Sequence, residues 1–318
     1  MLASYPDTRS ERDRWILAQR GPRNVLDPMR PYAFFSEEEC SARGEVTTVS
    51  TIFLTNRECS WRCLMCDLWQ NTLTETVPVG AIPAQIDYAL LRLPPASQIK
   101  LYNSGSFFDR RAIPVQDYTA IADRLLAFER VIVECHPTLI GENCLHFKDQ
   151  LGAKLEVAMG LETTHPQVLD KLNKQMTVEQ FGNSAQILKE NDIDLRIFLL
   201  VKPPFLREEE VFEWTSRSLD FAFDCGATAV TLIPTRGGNG AMDTLASIGE
   251  FSPPRLAMLE ACFAYGLSLG RGRVFADLWD SRQAAECGSC YGLRISRLKT
   301  MNLEQKMLQP IVCESCKA

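Results

Sequence analysis

No stretch of about 18 apolar residues occurs anywhere in the 318-residue chain, so no membrane-spanning helix is expected. The N-terminus, MLASYPDTRSERDR, also lacks the apolar core of a signal peptide. Nor is there an excess of positive charge. Lys and Arg number 34 against 40 Asp and Glu, and the net charge of −6 excludes a global pull towards phosphate polymers or anionic membranes. Internal repeats and low-complexity linkers are missing, and 46% hydrophobic with 23% charged residues describes an ordinary globular chain with a sizeable core. Such a length suits about two domains, or one large α/β unit with appendages.

Cysteine is present but not in the density of a disulfide scaffold: there are 12. Their grouping is the more informative feature. Cys59, Cys63 and Cys66 form one cluster and Cys287, Cys290, Cys313 and Cys316 another, while the remaining five are scattered. Clustered thiols in a chain without a secretory signal predict a reducing, cytoplasmic setting and metal binding.

Apolar periodicity organises the rest. Strands are predicted over 46–54, 98–102, 130–135, 155–159, 195–201 and 228–233, alternating with helices over 82–93, 115–128, 142–151, 178–190, 208–225 and 254–269. No hairpin signal interrupts them, so the six alternations predict a parallel sheet with helical crossovers, either a barrel or a doubly wound sheet. Ahead of this lies a charged preface in which Ser10 is expected to cap a short helix carrying Trp15, Ile16 and Leu17. The expected organisation is an N-terminal extension (1–45), a core (46–280) and a cysteine-rich tail (281–318).

Directly after the first strand stands Cys59-Ser-Trp-Arg-Cys63-Leu-Met-Cys66. Three thiolates so close in sequence hold three irons of a [4Fe-4S] cube and leave the fourth iron open. The competing reading, a buried helical stripe at i, i+4, i+7, sits badly with the adjacent Arg57, Glu58 and Arg62. This CxxxCxxC spacing resembles the radical S-adenosylmethionine superfamily. The resemblance implies a partial (β/α)6-type TIM barrel with the cluster at its C-terminal mouth. It further implies S-adenosylmethionine on the open iron, a 5′-deoxyadenosyl radical, and an electron donor such as flavodoxin or ferredoxin. An aromatic residue usually precedes the third cysteine in that superfamily; here it is Met65.

The same resemblance implies cofactor-binding positions. Asn103, Ser104, Gly105 and Ser106 follow the second strand, where the superfamily places a loop on the amino group of S-adenosylmethionine. Glu162 closes the fourth strand, with a carboxylate suited to the ribose or amino group, and Glu134 closes the third, followed by His136. Arg196 is grouped with these cofactor-binding residues. Lys202, at the end of the strand that Arg196 begins, and the loop 235–240 are weaker candidates for anionic groups.

Within the superfamily, the segments 104–109, 131–134 and 199–206 resemble the radical S-adenosylmethionine enzymes of archaeosine synthesis, which implies a modified base in tRNA as substrate. A small molecule or peptide is the alternative, and a non-catalytic iron–sulfur or zinc protein a further one. The tail's two CxxC knuckles, Cys287/Cys290 and Cys313/Cys316, predict a four-thiolate centre, zinc or an auxiliary iron–sulfur cluster. Between and around them the tail has a basic excess, a local footprint for nucleic acid on an acidic chain.

Overall fold

The structure is a computed structural model that describes residues 4–316. Its strands are β1 (Ala33–Cys40), β2 (Val46–Phe53), β3 (Gln98–Tyr102), β4 (Arg130–Glu134), β5 (Lys154–Glu162), β6 (Asp194–Val201), β7 (Ala229–Pro234) and β8 (Arg273–Ala276). The helices are α1 (Arg9–Ala18), α2 (Ala81–Leu90), α3 (Tyr118–Arg124), α4 (Glu142–Gln150), α5 (Pro166–Lys171), α6 (Val178–Glu190), α7 (Val211–Asp224), α8 (Ala241–Ser247), α9 (Leu256–Ser268) and α10 (Gly288–Glu304). All eight strands make one sheet in sequential order. Pairing from β2 to β8 is parallel, and β1 joins antiparallel to β2.

Six of the seven parallel strands, β2 to β7, are those expected from periodicity, and the sheet is a partial TIM barrel. One face carries Ile99, Leu101, Val131, Val133, Leu155, Val157, Ile197, Leu199 and Val230 into a continuous core under the helices. Amphipathic helices such as α7, which buries Val211, Leu219, Ala222 and Phe223, cover that face.

Two strands flank the six expected ones. The first, β1, is read in sequence as charged preface because it spells AFFSEEEC. It returns through the turn Ser41–Glu45, where Gly44 takes φ +79° and Ser41 N–H donates to the Glu45 carbonyl at 2.7 Å. Such a loop has none of the Asn-Gly or Asp-Gly chemistry that marks a hairpin in sequence. The other, β8, is four residues long.

An open sheet has two edges, and each needs cover. The side chains of Asn302 and Gln305 pair with the main chain of β8 as a strand would. Asn302 accepts from Ala276 N–H at 2.8 Å and donates to its carbonyl at 2.9 Å, and Gln305 does the same at Val274. Because α10 packs against both β1 and β8, it spans the seam between the two edge strands. The cysteine tail therefore carries an element that completes the barrel wall. Likewise α1, whose N-cap position is Thr8, without a side-chain cap, rather than Ser10, packs Trp15 and Ile16 onto Leu64, Met242 and Leu245.

Candidate active site

Cys59, Cys63 and Cys66 lie on an irregular loop that leaves the C-terminal end of β2. Its two ends are tied together: Glu58 N–H donates to Leu73 O, and Leu73 N–H to Asn56 O, both at 2.9 Å. Its tip is gripped by residues from distant strand ends. Asn173 donates to Arg62 O at 2.8 Å, Leu64 N–H donates to Leu172 O at 2.9 Å, and Asn239 donates to Leu64 O at 2.8 Å and Cys66 O at 3.2 Å. Irregular backbone with fixed carbonyls and a fully buried Leu64 is a preorganised loop. Burial pushes the Cys59 thiol up to about 11 and the Cys66 thiol to about 12, and raises Cys63 as well. Metal loading must therefore displace protons.

The loop after β3 meets this one directly: a Cβ on Gly105 would lie 3.4 Å from Cys59 Cβ. Glu134, at the end of β4, shapes it. Its carboxylate accepts from Asn103 N–H at 2.5 Å, and the amides of Gly105 and Ser104 also point to it. Enclosure raises the Glu134 carboxyl to about 7 even against these amides. Ser104 adopts φ +50°, and its hydroxyl lies 3.0 Å from Tyr32 Oη. Ser106 Oγ accepts from His136 N–H at 2.8 Å.

Asn103 provides a direct test of whether this rim suits a ligand. Its side chain is fully buried, yet neither Oδ1 nor Nδ2 has a hydrogen-bond partner. Burial of an amide without partners is costly, and a bound polar group offsets that cost.

At the end of β5 the register slips between Gly160 and Glu162, and Glu162 takes φ +68°. Its buried carboxylate pairs with the ammonium of Lys174, also buried. Gly160 makes room, since a Cβ there would overlap both Glu162 Oε1 and Lys174 Nζ. Burial lowers the Lys174 pKa, but Glu162 and then Cys63 more than offset this and raise it. Lys174 is thus a fixed positive charge facing the thiols, and nothing in its sequence neighbourhood marks it. Tyr32 and Asn173 were equally invisible, because each acts through a partner far away in sequence.

Several sequence candidates sit differently from expectation. Arg196 is removed from the rim: it lies six residues before Lys202 on β6, roughly 20 Å at the rise of a strand. There it is spent on Glu39 and Glu156, each at 2.6 Å. A residue that begins a barrel strand belongs to the end opposite the C-terminal mouth. His136 is neutral, its pKa pushed down to about 3 by burial and then by Lys174. One ring nitrogen lies 3.0 Å from Lys174 O, and the ring stacks on Trp61 at 3.8 Å. It fastens the cysteine loop to the Lys174 segment. Lys202 binds Ser252 at 2.8 Å and Glu208 at 3.1 Å, and the 235–240 loop serves through Asn239 as a clamp.

The tail cysteines converge. The sulfurs of Cys287, Cys290, Cys313 and Cys316 all lie within 4.8 Å of one another, with Cys290 and Cys316 at 3.8 Å. Four thiolates at ~2.3 Å from one tetrahedral metal are separated by about 3.8 Å. Amides of Cys290 and Ser289 lower the Cys287 thiol to about 6, and those of Cys316 and Ser315 lower Cys313, whereas burial and the neighbouring sulfurs raise Cys290 to about 12.

No family model matches the chain. Among solved structures, methylornithine synthase (PylB) superposes with a TM-score of 0.54 over 94% of this chain and 77% of its own, at 13% identity, a likeness of fold. Barrel and three-cysteine loop are the two features that the chain's resemblance to radical S-adenosylmethionine enzymes implies. Its core is similar to archaeosine synthase subunit beta of Methanosarcina acetivorans, 27% identical over 228 residues, or 67% of this chain and 65% of that one. An uncharacterized protein of Methanocaldococcus jannaschii is 25% identical over 250 residues, 74% of this chain and 68% of that one. The chain thus spans about two thirds of the length of these relatives. Among the described residues no helix is long and apolar enough to cross a membrane.

Proposed function

We propose that Cys59, Cys63 and Cys66 hold a [4Fe-4S] cluster, that S-adenosylmethionine binds on the rim beside it, and that the substrate is a modified base in tRNA. Together the two bound groups supply a 5′-deoxyadenosyl radical, the hard chemistry of the reaction. The chain's own residues position and shield. Asn239, Asn173 and Leu172 fix the cysteine loop by its backbone; Glu134 moulds the 103–105 amides; and Asn103 and the Glu162–Lys174 pair face the space beside the thiols with polar groups suited to an amino acid moiety and a ribose.

The observation that carries the tRNA reading is the likeness of the core to archaeosine synthase subunit beta. That name describes one subunit of an assembly. A net charge of −6 fits a chain that shares its grip on tRNA with a partner, because Arg294 and Arg297 of the basic tail are buried and spent on Glu260 and Glu286. The tail sulfurs, as spaced, favour a single tetrahedral ion, and we assign it as zinc.

Anaerobic reconstitution with iron, sulfide, S-adenosylmethionine and a strong reductant tests the reading. We expect 5′-deoxyadenosine, formed faster when tRNA bearing the modified base is added, with a change of mass in one nucleoside. Replacing all three rim cysteines by alanine should abolish both; unchanged 5′-deoxyadenosine in that variant refutes the cluster assignment.

A further inference from the structure

The face of the sheet turned away from the helices carries a row of aromatic rings that the core does not use. Side chains alternate along a strand, so Phe35 shares the inner side of β1 with Glu37 and Glu39, Tyr102 shares that of β3 with Lys100, and Phe198 that of β6 with Arg196. Ring follows ring. Phe198 lies 6.2 Å from Tyr102 between centroids, Tyr102 5.9 Å from Phe53, Phe53 5.8 Å from Phe35, and Phe35 6.4 Å from Trp279, this last pair within 16° of parallel. All five rings lie outside the apolar core and keep some exposure to solvent, and Trp279, just beyond β8, is 66% exposed. Its position is nevertheless fixed: the Trp279 main-chain N–H donates to Asp277 Oδ1 at 2.9 Å, and Arg236 donates to Trp279 O at 3.0 Å. The other Asp277 oxygen lies 3.4 Å from Arg236 and makes no hydrogen bond among the described residues.

From this arrangement we infer that Trp279 and Phe35 form a stacking shelf for the base that the enzyme modifies, taken out of the tRNA stack, with Asp277 at its polar edge; the inference rests on the tRNA reading given above. A base buried in a helix is out of reach of chemistry and must be extruded, and it then presents an apolar face and a hydrogen-bonding edge. An exposed indole fixed beside a carboxylate with an oxygen to spare answers both. Stacking also needs no positive charge, which suits a chain whose net charge is −6. Topology separates the shelf from the cofactor residues. Glu134 and Glu162 end the two middle strands of the eight, β4 and β5, whereas Phe35 and Trp279 meet across the seam between the edge strands β1 and β8. A cofactor held at the middle strands and a base held at the edge strands face each other across the mouth.

The test measures the affinity of the full chain, reconstituted anaerobically with S-adenosylmethionine, for two tRNAs: one bearing the modified base, and the same tRNA with an abasic site at the nucleoside whose mass changes. Trp279→Ala should bind the first about 5- to 150-fold more weakly than the parent chain does, the span for one lost base stack. It should bind the abasic tRNA as the parent does. Trp279→Phe should recover most of the loss, and the slope of affinity against salt should be the same in all three proteins, because no phosphate contact is removed. Iron content equal to the parent's shows that the variants are folded. Equal affinity of the parent and Trp279→Ala for the base-bearing tRNA overturns the inference. So does an equal loss on the abasic tRNA or a flattened salt slope, either of which gives Trp279 to the RNA backbone. Weakened S-adenosylmethionine binding with tRNA affinity intact also overturns it, by making the shelf a seat for the cofactor's adenine. A parent chain that changes the mass of no nucleoside in tRNA faults the tRNA reading instead, and the shelf falls with it.

Discussion

The two ends of the barrel interior are both polar, but they are polar in opposite ways. At the closed end, Glu156 is fully buried and accepts from Arg196 at 2.6 Å, Arg130 at 2.9 Å and Arg273 at 3.2 Å. Glu39 accepts from Arg196 and from Lys100, each at 2.6 Å. Glu39, Glu156 and Arg196 stand on regular strand backbone, and each of these charges is answered. At the rim, by contrast, the amide of Asn103 is unanswered, and Ser104, Glu162 and Lys202 take φ values of +50°, +68° and +55°. Satisfied polar networks hold a fold together, whereas orphaned groups and strained backbone gather where something else is to bind. The difference teaches that buried charge alone does not locate a site; an unmet polar group and strain do.

The largest expected effect is at the closed end. Glu156→Ala leaves the guanidinium groups of Arg130, Arg196 and Arg273 facing one another, and breaking a buried pair in this way costs about 3–5 kcal/mol. Urea denaturation should show that loss while the iron content of the reconstituted remainder stays normal. The network is also pH-linked. Burial raises the carboxyls of Glu39 and Glu156, but Arg196 and its neighbours more than offset this and hold both below the usual range. Unfolded carboxyls take up protons near pH 4.3, so the stabilisation is complete above about pH 5 and is lost as the pH falls further. A Glu156→Ala variant as stable as the parent chain would mean that the closed end is not the structural half of the comparison.

At the rim the effect is smaller and falls on binding. Glu162→Ala should weaken S-adenosylmethionine affinity by about 1–3 kcal/mol, the worth of a hydrogen bond to a charged group, with iron content unchanged. Gly160→Ala sharpens the point, because the added methyl displaces the Glu162–Lys174 pair without removing either charge. Calorimetry on the reconstituted protein should show weakened binding for both variants. Parent-like affinity in both would return the pair to a purely structural role.

The same contrast explains what was legible in the sequence. Parallel strands such as Gln98–Tyr102 were readable to the residue because apolar and β-branched side chains alternate against a helical cover. The three rim cysteines stand out in the sequence because their spacing is local. In β1, however, Glu37 and Glu39 look like a solvated run until Lys100 and Arg196, far along the chain, turn them into an interior surface. Arg196 was misjudged for the converse reason, since its type suggests a ligand while its register places it at the wrong end of the strand. Lys174 and Asn173 reach the site only through tertiary contact, which spacing does not encode.

The smallest effect on the site itself is expected from the tail. Helix α10 is joined to β8 through Asn302 and Gln305, to Glu260 through Arg294 at 2.7 Å, and to Leu308 O through Arg297 at 2.8 Å. These contacts are independent of the four sulfurs. Cys313→Ala should therefore release the return segment 309–316 and the first knuckle, seen as faster amide exchange, while α10 stays docked and the proposed cluster at the rim reduces as before. If the rim cluster is lost as well, the tail is part of the site and not its brace. The identity of the ion is read from the variant with all three rim cysteines replaced by alanine, which removes the other metal centre. The close approach of the tail sulfurs matches one ion bonded to all four, so about one zinc and no iron per chain is expected. About four irons with sulfide would require the sulfurs to spread around a cube and would establish a second cluster.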